Sequence, residues 1–169
     1  MPATQVSNPR DLLVLLLGEL LFVERRLADS VLEQIAFAVS DGDLRTVLEE
    51  HRVQTKRHAE RIENVFRTIG VAPTSNLSRP FESAVAQHDE LQTAVNDSTL
   101  ADVFHAQAAL HTEHWEIAAY TTVITLAESL DLGDALEPLR DSLEDEVRAR
   151  DDLAQAIARL TRHAISIRG

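Results

Sequence analysis

Cysteine is absent from this 169-residue chain, which excludes disulfide frameworks, thiol nucleophiles and thiolate metal sites. Any metal must be held by oxygen and imidazole. Aromatic residues make up only 4% of the sequence, and glycine and proline number five each. With Ala, Leu, Val, Glu and Arg abundant, that balance favours helices over sheets. Positive charge is scarce as well: 16 Lys and Arg stand against 28 Asp and Glu, a formal net charge of -12. Nucleic acid and anionic membranes are bound through clustered Lys and Arg, so neither is the expected partner. No apolar run approaches the roughly 20 residues of a membrane span; the richest, Leu12 to Leu17, is soon followed by Glu19 and Glu24. Met1 to Arg10 lacks the basic, apolar and small-residue succession of a secretory signal, so a soluble cytoplasmic protein is expected. No Gly-rich phosphate motif or nucleophile arrangement is present.

What the chain does contain is long helical periodicity. One domain spanning residues 1–169 suits the length. A first helix is predicted over 9–39, with Asn8 as its cap and Pro9 in its first turn. Ser40-Asp41-Gly42-Asp43 then turns the chain into a second helix over 43–69, ended by Gly70. The irregular stretch after it holds a short helix over 81–95. A third helix, capped by Ser98, covers 98–130, and a fourth covers 135–164. Two antiparallel helical hairpins joined by so long a crossover predict an all-α four-helix bundle of ferritin-like type, because a simple up-down bundle needs only a short loop there.

Phase identifies the polar residues that face inward. Glu24 shares a stripe with Leu17, Leu20, Leu27 and Val31, and Glu113 with Ala106, Leu110, Ile117 and Tyr120, with Glu116 on its flank three residues on. The fourth helix supplies Glu146 between Leu143 and Leu153, on a stripe that includes Arg150 and Ile157, and the second supplies His51 and His58. Buried carboxylates are costly unless paired or metal-bound. Carboxylates from facing helices plus imidazole form the usual shell of a di-iron or di-manganese centre in a bundle. The expected Glu-x-x-His pair is absent in the inward phase, the nearest arrangement being His51-x-x-Gln54. His105, His111 and His114 fit a solvated face, and Trp115 and Tyr120 fit core packing. Leu12 to Val23 is apolar almost all round its helix, which predicts either a homodimer interface or cover by the crossover near Phe81.

Val23-Glu24-Arg25-Arg26-Leu27, His51 with Thr55, Glu60 through Phe66, Glu113 through Tyr120, Thr125 through Glu128 and Leu143 through Glu146 together resemble the ferritin-like stress proteins typified by YciE and YciF. The likeness runs roughly from Asp11 to Leu160. It implies a rubrerythrin-related bundle, often dimeric, with a dinuclear metal site on Glu24, His51, Glu113, Glu116 and Glu146. Gln54, His58 and Arg150 stand where such proteins commonly carry Glu, Gln and Asp. Two arrangements follow. Arg150 either turns inward and pairs with the carboxylates in place of metal, or turns outward and leaves His58 as a nitrogen ligand. The first gives a metal-free dimeric stress or scaffold protein held by a Glu-Arg-His network. The second, preferred here, gives an iron or manganese protein with a stress role, acting on peroxide or dioxygen.

Overall fold

The computed structural model describes residues 6–167, and Met1 to Gln5 with Arg168 and Gly169, part of the expected 1–169 span, lie outside the described residues. Its elements are α1 (Pro9–Arg26), a π-helical turn (Leu27–Val31), α2 (Leu32–Ala38), α3 (Gly42–Thr68), α4 (Arg79–Leu91), a 3-10 turn (Gln92–Ala94), α5 (Ser98–Ser129) and α6 (Gly133–Ser166). The architecture is all-helical. The first expected helix is therefore not uniform: immediately after Glu24 and the two following arginines it widens into the π turn, a local rearrangement that no proline or glycine announces. The short helix ends earlier than expected and tightens into the 3-10 turn, while α6 continues to Ser166.

Local chemistry explains the element ends. The Asn8 side chain accepts from the Asp11 amide with Pro9 in the first turn of α1. Asp41 accepts from the Leu44 amide to start α3, and Asp97, one residue before the expected Ser98, accepts from the Leu100 amide to start α5. A carboxylate is a stronger acceptor than a hydroxyl at a positive helix terminus, which favours Asp97 over its neighbour. Gly70 ends α3 with φ of 75°, a left-handed conformation that glycine adopts freely. The two hairpins are also joined away from the core: Asp102 on α5 accepts from the Ser40 and Asp41 amides at 2.7 and 2.9 Å, and Arg159 on α6 forks onto Asp41 at 2.6 and 2.8 Å.

The long helices form a ring in which α1 meets α3, α3 meets α6, α6 meets α5 and α5 meets α1. Inside are two apolar clusters. One contains Leu13, Leu17, Leu21, Phe66, Tyr120 and Leu139, and the other Leu27, Leu44, Leu48, Ala106, Leu153 and Leu160. On every long helix the ligand-type residues occupy the turns between the two clusters. A polar layer is thus sealed at both ends by hydrocarbon.

The crossover lies against α1. Asn76 donates its backbone amide to Gly18 O at 2.8 Å and its side-chain amide to Leu15 O at 3.2 Å. A Cβ on Gly18 would strike the Asn76 side chain, so the Asn76 bond to Leu15 O depends on glycine at this position. Part of the apolar stretch Leu12 to Val23 is thereby covered by the crossover at residues 74–78, and Phe81 packs in the cluster that holds Val23 and Phe22 at the end of that stretch. Among the described residues, no helix is long and apolar enough to cross a membrane.

Candidate metal centre

Helical spacing brings the polar layer together. On α3, His51 and His58 are seven residues apart and so share one face, with the buried Thr55 between them donating its hydroxyl to His51 O at 2.9 Å. On α5, Glu113 and Glu116 are three apart and also share a face. Glu24 comes from the last turn of α1 and Glu146 from the middle of α6. All of these side chains are buried, none more than 3% exposed.

Their ligand-type atoms converge in two groups that share Glu146. His51, Glu113, Glu116 and Glu146 form one, with Glu24, His58 and Glu146 forming the other, and within each group the atoms all lie within 4.8 Å of one another. His51 Nε2 is 3.1 Å from Glu113 Oε1 and 3.7 Å from Glu146 Oε2. His58 Nδ1 is 2.7 Å from Glu146 Oε1 and 3.5 Å from Glu24 Oε2. These contacts have the distances of ion pairs but not the directionality of hydrogen bonds. His51 Nε2, His58 Nδ1, Glu24 Oε2, Glu113 Oε2 and both oxygens of Glu116 and Glu146 have no hydrogen-bond partner.

The outward atoms of the same side chains are tethered. His58 Nε2 lies 3.2 Å from Asp145 Oδ2, which also accepts from Arg61 at 2.9 Å. His51 Nδ1 faces Gln54 Oε1 at 3.5 Å, and the Tyr120 hydroxyl donates to Glu24 Oε1. Each imidazole thus keeps one nitrogen for the interior and has the other oriented by a neighbour, the arrangement that fixes tautomer and ring direction in histidine metal ligands.

Without metal, burial and mutual charge set the proton affinities. Burial depresses His51, but the Glu113 and Glu146 carboxylates outweigh it and raise its pKa to about 9. Burial likewise depresses His58, and Glu146 and Glu24 raise it to about 10. Burial pushes Glu113 up to about 8 against the opposing His51. It also pushes Glu116 well above its ordinary value, reinforced by the charges of Glu146, Glu24 and Glu113, and raises Glu24 against His58. For Glu146 burial acts upward, yet the two imidazoles prevail and its pKa is lowered. The layer is therefore a store of protons that a cation can displace.

The structure moves two groups of residues from their expected places. Arg150 is not in the polar layer: its guanidinium, 31% exposed, binds Asp151 at 2.7 Å. The inward stripe of α6 is Leu139, Ser142, Glu146, Ala149, Leu153, Ala156 and Leu160, not the one through Leu143, Arg150 and Ile157. The two stripes share Leu139, Glu146, Leu153 and Leu160, and between these the observed one buries the smaller Ser142, Ala149 and Ala156. His105 is not on a solvated face: it is 4% exposed, and its Nδ1 lies 3.0 Å from His88 Nε2 on α4. His111 and His114 are exposed. Sequence reasoning also passed over Asp145 and Arg61 as supports of His58. An acidic Glu-Asp-Glu run reads as surface, and a contact 84 residues away in the chain leaves no local signal.

An iron or manganese ion fits these residues. The unpartnered buried atoms are all carboxylate oxygens and imidazole nitrogens, the donor types such ions take. A layer so rich in polar atoms without hydrogen-bond partners is costly in a metal-free core.

With fold and geometry established, relatives place the chain. The profile of a family described as a domain of unknown function, DUF892, matches residues 8–166. The chain belongs to the DUF892 family. Protein YciF of Escherichia coli (strain K12) is 30% identical over 137 residues, covering 80% of this chain and 82% of YciF. The solved structure of the E. coli stress protein YciF matches with a TM-score of 0.87 at 25% identity, over 93% of this chain and 99% of that one. YcfI from Rhodopseudomonas palustris matches with a TM-score of 0.86 at 26% identity, over 91% and 98%. This DUF892 chain therefore has the ferritin-like helical bundle of YciF-type proteins.

Proposed function

We propose that the polar layer of this DUF892 protein binds one or two iron or manganese ions and that the protein serves an oxidative or general stress response in the cytoplasm, acting on peroxide or dioxygen. The observation that carries the reading is the convergence of buried carboxylate and imidazole atoms without hydrogen-bond partners. The stress assignment rests on the description of E. coli YciF as a stress protein.

Glu146, common to both groups, would serve each; His51 with Glu113 and Glu116 would hold one ion, and His58 with Glu24 the other. Asp145, held by Arg61, orients His58, and the Tyr120 hydroxyl donates to Glu24 Oε1. When bound, iron or manganese would supply redox chemistry toward small oxidants. The apolar clusters above and below keep bulk water from the layer. The test is to load metal-free protein with Mn2+ or Fe2+ and measure metal content beside Glu146→Gln. Retention by the wild type and loss in the variant support the reading.

A second reading is favoured by the 2.7 and 3.1 Å His–Glu contacts: a metal-free scaffold whose layer is neutralised by its own protons. Arg150 has no part in that network, and arginine reaches the layer through Asp145 from Arg61. Protein that takes up no metal would establish it. We also propose a homodimer, supported by the apolar residues left at the surface, Leu12, Phe37 and Leu77, with Phe37 90% exposed.

A further inference from the structure

A cavity of about 240 Å³ opens between α1 and α5, with Ser78 of the crossover at its edge. Its walls are mostly apolar, and the charged residues among them are Glu19 and Glu116. Glu116 belongs at once to this cavity and to the candidate metal group. It is 1% exposed, and neither of its carboxylate oxygens has a hydrogen-bond partner. Glu19 is partly exposed and lies about one turn before Val23 on α1, and both line the same cavity.

A larger cavity of about 610 Å³ lies between α2, α4 and α5 and shares Trp115 with the smaller one, yet none of Glu24, His51, His58, Glu113, Glu116 or Glu146 lines it. Of these two openings, only the smaller touches the polar layer. Its volume has room for several waters at about 30 Å³ each, enough for a partly hydrated ion. The partly exposed Glu19 carboxylate, between low-dielectric walls, concentrates cations and opposes anions. The crossover wall is fixed by the Asn76 bonds to Gly18 and Leu15, so the opening is built into the fold.

We propose that this cavity is the intake port for the divalent cation: Glu19 draws the hydrated ion in from solvent, and Glu116 takes it up and passes it to His51, Glu113 and Glu146. This rests on the metal-centre reading. The port acts on rates, whereas the polar layer sets the affinity and the amount bound, and that separates the two claims.

The experiment follows Co2+ uptake by the metal-free full-length chain in a stopped-flow spectrometer, and its release to excess chelator. Compared with the wild type are Glu19→Lys, Thr122→Phe and, as a charge control on α3, Glu60→Lys; Thr122 and Glu60 are exposed, and Thr122 lines the cavity. Glu19→Lys is expected to slow uptake about tenfold or more, as reversal of a steering charge does, with unchanged final stoichiometry. Thr122→Phe is expected to slow uptake and release by the same factor, leaving Kd unchanged, and Glu60→Lys to behave as the wild type. Wild-type uptake in both port variants overturns the port and leaves the metal centre standing. Wild-type protein that binds no Co2+, Mn2+ or Fe2+ overturns both.

Discussion

Metal-free protein should lose stability as pH rises above about 6.5, because its polar layer retains protons that the unfolded chain releases. His51 and His58 are raised from 6.5 to about 9 and about 10, and Glu113 from 4.5 to about 8. A group whose folded pKa is raised stabilises the fold fully below its unfolded pKa and loses that contribution as pH climbs through the folded value. His51 and Glu113 face each other, so they count here as one retained proton, with His58 as a second; Glu116 and Glu24, also raised, act in the same direction and steepen the slope. Two extra protons on the native state correspond to about 2–3 kcal/mol per pH unit between about pH 7 and pH 8. For a chain of this size that lowers Tm by about 5–10 °C per unit. Calorimetry in excess chelator measures the slope. His58→Gln should lower it by about 1 kcal/mol per pH unit, one proton's share, and Mn2+-loaded protein, whose protons have been displaced, should show little of it. A Tm for the metal-free protein that is flat or rises over this range would refute the proton store. Glu146 and Asp145, whose pKa values are lowered, act with opposite sign and destabilise at acid pH as they are protonated.

Other outcomes follow from single contacts. Asp145→Asn, which weakens the hold on His58, should reduce metal affinity about 10–100-fold at unchanged stoichiometry, measured by chelator competition. Arg150→Ala should leave metal content unaltered, since its guanidinium binds Asp151 outside the layer. Tyr120→Phe leaves Glu24 Oε1 without its donor and should cost about 1–3 kcal/mol, read from denaturant unfolding. Gly18→Ala displaces the Asn76 side chain from Leu15 O and should cost about 1–3 kcal/mol through overpacking. Light scattering should give twice the 18.8 kDa chain mass, and the single-chain mass would remove the homodimer.

Periodicity and turn chemistry carry the fold: Asn8-Pro9, the Asp41-Gly42 turn, Gly70 and the long stretch between the hairpins lead to helices in the right order. Phase carries the polar layer too, since Glu24, His51, His58, Glu113, Glu116 and Glu146 all lie in it. It fails on α6. There Leu143 and Ile157 look more core-like than Ser142 and Ala156, yet the smaller pair is the buried one, with Ser142 accepting from Arg61 of α3. Arg150 follows the same slip. The π turn after Arg26 has no residue signal, for Leu27-Ala28-Asp29-Ser30-Val31 would also sit in an ordinary helix. His105 is hidden by α4, whose position over α5 depends on the crossover and not on any pattern within α5. Asp145 and Arg61 meet across the α3–α6 seam, a tertiary contact that periodicity on either helix does not encode.

The central claim is that the layer around Glu146 holds metal. Elemental analysis of protein purified from metal-supplemented cells, beside Glu113→Ala prepared identically, tests it most directly. About one to two equivalents of iron or manganese per chain in the wild type, and a clear loss in the variant, is the predicted result. No metal in either, with the wild type folded, would contradict it and leave a ferritin-like scaffold whose buried His–Glu pairs are neutralised by protons alone.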